Sequence, residues 1–165
     1  PYNPEIVYGF GFSLRYKNFD FSAFFQGDAR CSTMLSGDLL IPGSGGGGMG
    51  NIYSNWDDRW NPADPYKKNV FWPRFSTTKS INNNLPSTWW LKDASYIRLK
   101  NLEVGYTLPK SWQKAALMRG ARVFFRGSNL WTWSAFNMWD PEVGSSDGLK
   151  YPPMKVYSLG FQVTF

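Results

Sequence analysis

The sequence contains no histidine and only one cysteine among its 165 residues. Histidine is the most frequent general base and metal ligand near neutral pH, so a catalytic site or a metal site in this protein would lack its usual residue. The single cysteine, Cys31, excludes an internal disulfide and a metal site built from cysteines. No pattern pairs a nucleophile with a base, and the sequence therefore predicts a protein that is not an enzyme and needs no cofactor.

The sequence also lacks an apolar run of the ~18 residues that a membrane-spanning helix requires. Its mean hydropathy is -0.41, yet 19% of its residues are aromatic. This combination is compatible with a membrane protein because the strands of a membrane barrel are half polar. The net charge of +6 arises from lysines and arginines scattered along the chain. Scattered charge is typical of a solvated surface, and no nucleic-acid partner is predicted.

Five stretches alternate apolar and polar residues, which is the period of strands with one face in an apolar medium. The clearest is 156–165, whose apolar face carries Tyr157, Leu159, Phe161, Val163 and Phe165. Ten tilted residues rise ~26 Å, the height of the apolar band of an outer-membrane barrel. The predicted strands lie near residues 7–16, 19–27, 94–108, 121–133 and 156–165. In the third strand the apolar residues fall on odd-numbered positions up to Leu99 and on even-numbered positions from Leu102. This change predicts a β-bulge near Lys100 and Asn101.

The connections between these strands alternate in length. Compact turns follow the first and third strands, and long loops, 28–93 and 134–154, follow the second and fourth. In outer-membrane barrels the short turns are periplasmic, which predicts extracellular long loops and a periplasmic C-terminus. The glycine run 43–50 is interpreted as a flexible loop tip, since no phosphate-loop lysine follows it. Five strands cannot close a barrel, so a larger barrel is expected to contain them.

Six segments, in order along the chain, resemble the C-terminal end of the SusC/RagA family of TonB-dependent outer-membrane transporters. They are YKNFDFSAFFQG (16–27), DRWNPADP (58–65), ASYIRLKNLEVGYTLPKSW (94–112), RVFFRGSNLWTW (122–133), DPEVGSS (140–146) and YSLGFQVTF (157–165). Each segment alone is a weak signal, whereas the ordered set is specific.

The resemblance implies an all-β, antiparallel transmembrane barrel of 22 strands with an N-terminal plug domain. Residues 1–165 would be about its last five strands, and the plug would be absent from this chain. The whole protein would lie in the outer membrane of a Gram-negative bacterium and import large nutrients, either oligosaccharides or peptides. The implied partners are the rest of the barrel and its plug, a SusD-like surface lipoprotein that acts as a lid, TonB with ExbB and ExbD, and outer-membrane lipid.

Three groups of side chains are candidate sites. Eight residues on the polar faces of the strands are predicted to face the barrel lumen: Arg15, Asp20, Gln26, Arg98, Glu103, Arg122, Arg126 and Gln162. Five tryptophans of the first long loop could stack on sugar rings or on the lid protein, or could pack the loop against itself: Trp56, Trp60, Trp72, Trp89 and Trp90. Four oxygen donors are weak calcium candidates, interrupted by prolines: Asp57, Asp58, Asn61 and Asp64.

One alternative remains open on the sequence alone. A soluble β-sandwich that binds carbohydrate would also make one face of each strand apolar, because its two sheets pack face to face. In that protein Trp89 and Trp90 would form the glycan-binding platform directly. Strand length and loop asymmetry favour the barrel.

The resemblance further implies an assembly signal in the last strand, composed of Tyr157, Phe161, Val163 and Phe165. Deleting Phe165 is expected to lower the amount of assembled barrel, because a terminal aromatic residue is what the outer-membrane insertion machinery reads in this family. The measurement is the level of protein in the outer membrane, and an unchanged level would rule this role out.

Overall fold

The computed structural model describes residues 2–37, 53–75, 81–115 and 117–165. The strands in these residues are β1 (Ile6–Tyr16), β2 (Phe19–Ala29), β3 (Ser32–Met34), β4 (Leu91–Asp93), β5 (Tyr96–Thr107), β6 (Gly120–Ser134) and β7 (Val156–Thr164). The helices are α1 (Ile81–Asn84), α2 (Lys110–Ala115) and a 3-10 helix (Pro141–Val143). Among the described residues, no helix has both the length and the apolar character needed to cross a membrane.

The five long strands form one antiparallel sheet in the order β1-β2-β5-β6-β7. The all-β, antiparallel class predicted from the sequence is therefore confirmed. Each strand begins and ends within two residues of its predicted bounds, and the largest extension carries β2 on to Ala29. Within the described residues β1 and β7 each pair with one strand only, so both remain edges of the sheet.

The register keeps apolar residues opposite apolar residues. Phe10 lies opposite Phe25 with the ring centroids 5.1 Å apart, and Val123 lies opposite Phe161. This face is exposed: the fractional exposure is 78% for Leu159 and 80% for Phe161. A sandwich would bury it beneath a second sheet. The other sheet in the described residues consists only of β3 and β4, three residues each, so the fold does not support the sandwich alternative.

A shift of register at Lys100 keeps β5 in step with its neighbours. Leu99 pairs with Phe25 and Asn101 pairs with Phe24, so Lys100 is the extra residue of a bulge, as the sequence predicts. The facing part of β6 is also irregular, with Asn129 at a φ of 55°. Because of the bulge, Arg98 and Glu103 lie on the same face although five positions separate them.

Residues 33–92 and 145–150 form a second compact unit. Its centre is Trp72, which is fully buried, stacked on Tyr53 at 5.6 Å and edge-on to Trp90 at 6.1 Å. Large aromatic side chains therefore give the described part of the first long loop a core of its own. The glycine run 43–50 lies outside the described residues.

Phe161→Arg is expected to destabilise the whole protein in lipid by ~2–4 kcal/mol, since it places a charge on the apolar face. Gln162→Arg is the matched control: Gln162 lies on the polar face, opposite Arg122, and its replacement should cost little. Refolding titrations into lipid vesicles measure both values. Equal destabilisation by the two variants would mean that the faces are assigned wrongly.

Candidate functional site

The polar face of the sheet carries an ion-pair network that joins three strands. Arg122 on β6 pairs with Asp20 on β2, and its Nη2 lies 2.6 Å from Glu103 Oε1 on β5. The second oxygen of Glu103 accepts a hydrogen bond from Arg126 Nε at 2.7 Å. Arg15, opposite Asp20 in register, adds a third cation, so the group has an excess of one positive charge. We call these five residues the polar-face network.

Two glycines make room for this network. An ideal Cβ at Gly105 would lie 2.6 Å from Arg122 Nε and would also meet the Asp20 carboxylate. Gly105 therefore provides the space through which Arg122 reaches diagonally to β2. At Gly160 an ideal Cβ would lie 2.6 Å from the ring of Phe124, so the glycine leaves space for that ring. The centroid of the Phe124 ring is 5.2 Å from the guanidinium of Arg122 and 5.0 Å from the guanidinium of Arg126. The ring lies within cation–π distance of both arginines.

A second group of charges holds the 3-10 helix against β5. Arg98 is 2% exposed and pairs with Asp140, while its Nε lies 3.3 Å from Glu142 Oε2. Lys100 Nζ donates to Glu142 Oε1 at 2.9 Å. We call these four residues the loop latch.

The sequence of the helix explains its shape. Asp140 accepts a hydrogen bond from the Glu142 backbone N–H at 3.0 Å and caps the helix, and Pro141 occupies its first turn. Gly144 ends it in the left-handed conformation at a φ of 56°. The sequence analysis matched this segment only as part of a family motif and missed its ionic role. The order Asp-Pro-Glu-Val-Gly is itself a capping signal that could have revealed the turn.

All eight residues predicted to face the lumen share the polar face. Gln26 lies opposite Arg98, Gln162 lies opposite Arg122, and the polar-face network holds the other five. The structure thus brings five of the eight together and places Arg98 in the loop latch. Their orientation toward a lumen stays a prediction.

Three of the five candidate tryptophans pack within the loop unit. Trp56 stacks on Phe75 at 4.2 Å, and the buried Trp72 and Trp90 each donate their indole N–H. The acceptors are Asn55 Oδ1 at 3.1 Å and the Asn83 carbonyl at 2.8 Å. For these three rings the contacts favour packing over ligand binding.

Trp60 and Trp89 line a groove of about 500 Å³, to which the buried Trp90 also contributes. The fractional exposure of Trp89 is 38%, and its indole N–H donates to the Phe71 carbonyl at 3.2 Å. Lys92 Nζ lies 4.4 Å from the Phe71 ring centroid and 6.0 Å from that of Trp89. Burial lowers the pKa of Lys92, an effect that nearby Asp58 partly opposes. The groove is the concave aromatic site of this unit.

The four calcium candidates are engaged in local contacts. Asp58 accepts from the Phe71 backbone N–H at 3.1 Å and pairs with Lys67, and Asp57 pairs with Arg59. Asn61 Oδ1 and the Asp64 carbonyl accept backbone N–H groups within the turn. In the part of the chain that the structure describes, no three His, Cys, Asp or Glu side chains are grouped to hold a metal ion. These contacts give the calcium hypothesis no support.

The four residues of the expected assembly signal lie on or beside the last strand. Tyr157, Phe161 and Val163 lie on the apolar face of β7, and Phe165 follows the strand with 80% of its surface exposed. Their role in assembly stays a prediction.

Comparison with known proteins identifies the class. No family model matches the chain. TonB-dependent receptors P26 and P3 of Formosa agariphila are each 30% identical to the chain over 98% of its length. The TonB-dependent receptor SusC of Bacteroides thetaiotaomicron is 26% identical over 98% of it. The chain spans only 17%, 16% and 15% of these three relatives, respectively.

Solved structures give the same class. The chain superposes on structures of the RagAB peptide importer with TM-scores of 0.76 in the closed-closed state and 0.74 in the open-open state. The sequence identities are 26% and 27%, over 99% of this chain and 18% and 17% of the matched chains. The fold is thus that of the matched part of this importer. The chain belongs to the SusC/RagA family of TonB-dependent outer-membrane transporters, as the sequence predicts.

Arg98→Met is expected to release the loop latch, because Asp140 and Glu142 would lose their buried cation. Cleavage after Glu142 by a glutamate-specific protease measures this release and should accelerate about tenfold or more. Arg15→Met, which removes an exposed arginine from the same face, is the control. If both variants are cleaved at the rate of the parent protein, the ion pairs do not hold the loop.

Proposed function

We propose that this chain forms part of the barrel wall of a SusC-like, TonB-dependent importer of large nutrients. The observation that carries the proposal is the five-stranded sheet with one exposed apolar face and one charged face, which superposes on the RagAB importer with a TM-score of 0.76. The apolar face contacts outer-membrane lipid, and the polar face lines the lumen or contacts the plug domain.

The free edges of β1 and β7 continue into the rest of a 22-stranded barrel. This extension agrees with relatives that are about six times longer than the chain. The long loops 28–93 and 134–154 are extracellular, and the C-terminus is periplasmic. A sheet with two open edges would otherwise expose backbone groups that lipid cannot satisfy.

The partners follow from the same assignment. A SusD-like lipoprotein covers the extracellular loops, and TonB, ExbB and ExbD supply energy through the plug-bearing part of the protein. Trp60 and Trp89, which border the groove, are the tryptophans best placed to contact ligand or lid. Imported cargo is an oligosaccharide or a peptide, and the RagAB structures are those of a peptide importer.

The proposal is tested on outer-membrane extract, by electrophoresis with and without heating. A closed barrel should give a band far larger than the 18.9 kDa of this chain, with a mobility that changes on heating. An antibody against residues 156–165 identifies the band. A heat-insensitive band at 18.9 kDa in the soluble fraction would overturn the membrane assignment. If the band is large and heat-modifiable, loss of nutrient uptake on deletion of TonB would establish the energy source.

A further inference from the structure

We infer that the groove beside Trp89 binds an anionic saccharide, an inference that rests on the proposed importer function. Its main lining residues are Trp60, Arg74, Asn82, Asn83, Ser87 and Trp89, and we call it the Trp89 groove. Its volume of about 500 Å³ lies within the ~300–1,000 Å³ typical of small-molecule sites.

Hydrogen bonds hold the three tryptophan residues that line the Trp89 groove. The Trp60 backbone N–H donates to the carbonyl of the fully buried Trp72 at 3.0 Å. The Trp89 indole is held by the Phe71 carbonyl, and the neighbouring Trp90 indole is held by the Asn83 carbonyl. A ligand therefore meets rings that are already oriented, which lowers the entropy lost on binding.

The charge of the groove favours an anion. Arg74 is exposed and is the only charged side chain among the described lining residues. It forms no ion pair within the described part of the chain, unlike Arg122 and Arg126 of the polar-face network. A planar guanidinium of this kind binds a carboxylate or a sulfate through two parallel hydrogen bonds.

The remaining lining groups favour a saccharide over a peptide. Asn82 and Ser87 are neutral donors and acceptors that match sugar hydroxyls, and Trp89 offers a flat apolar surface to the carbon face of a sugar ring. The side-chain amide of Asn83 donates to the Arg74 carbonyl at 3.4 Å and so joins two walls of the groove. The described groove residues lie in α1, in turns and in irregular segments, outside the named strands, so none of those strands offers its edge there to an extended peptide.

Binding is measured by titration calorimetry on the full-length transporter in detergent. The probes are oligogalacturonate, which carries carboxylates, a sulfated malto-oligosaccharide, the same malto-oligosaccharide without sulfate, and polyglutamate. At least one anionic saccharide should bind, and Trp89→Ala and Arg74→Gln should each weaken it about tenfold or more. Arg74→Lys should restore part of the loss, because it keeps the charge.

Trp112→Ala is the matched control, since Trp112 is 65% exposed in α2 and lies outside the loop unit. The Trp112→Ala variant should bind the anionic saccharide with the affinity of the parent protein. Equal binding of the unsulfated malto-oligosaccharide, or unchanged affinity in Arg74→Gln, would overturn the anionic assignment. Binding of polyglutamate alone would make the groove a peptide site and overturn the saccharide assignment.

The control for the proposed function is heat-modifiable mobility of each variant. If the barrel is heat-modifiable and none of the saccharides binds, the inference is wrong and the importer function stands. If the full-length protein is not a heat-modifiable outer-membrane barrel, the proposed function itself fails.

Discussion

The two faces of each long strand lie in different surroundings, and every register in the sheet has to respect that difference. A slip of one residue would turn a whole strand over and place its charges on the apolar face of the sheet. The bulge at Lys100 shows how the constraint is met: one extra residue lets the apolar Leu99 and Leu102 share a face despite their odd spacing. The irregular turn of β6 at Asn129 lies beside it. The polar side chains are consequently brought together on the opposite face.

Charge pairs connect the strands on the polar face of the sheet. Exposed ion pairs contribute little to stability, so the half-exposed polar-face network acts chiefly by fixing which side chains meet. Arg98 differs from the arginines of that network because it is buried. Loss of its carboxylate partners would leave the positive charge of Arg98 buried and unpaired. The loop latch therefore holds the segment around Glu142 on β5 more strongly than surface charges would.

The loop unit is organised by aromatic packing around Trp72. Buried indoles that are hydrogen-bonded and edge-on to one another leave few alternative arrangements. Such a core can position exposed rings without long strands or helices. The indole of Trp89 and the backbone of Trp60 are accordingly held by hydrogen bonds to Phe71 and Trp72. The unit thus holds a fully buried ring at Trp72 and an exposed one at Trp89.

The sequence alone determined the five long strands, their two faces and the bulge, because a period of two is a local property that each strand carries in its own residues. The family followed separately, from the resemblance of six ordered segments to known transporters. The sequence also identified the polar residues that share a face. It did not determine which of them meet. Three features depend on the register between distant segments. Arg122 pairs with Asp20 across 102 positions, and Gly105 leaves space for that contact. Glu142 forms ion pairs with Arg98 and Lys100. Nor could the sequence separate Trp89 from Trp72, since composition is the same for a buried ring and an exposed one. Only tertiary packing decides which aromatic residues fill the core and which remain on the surface.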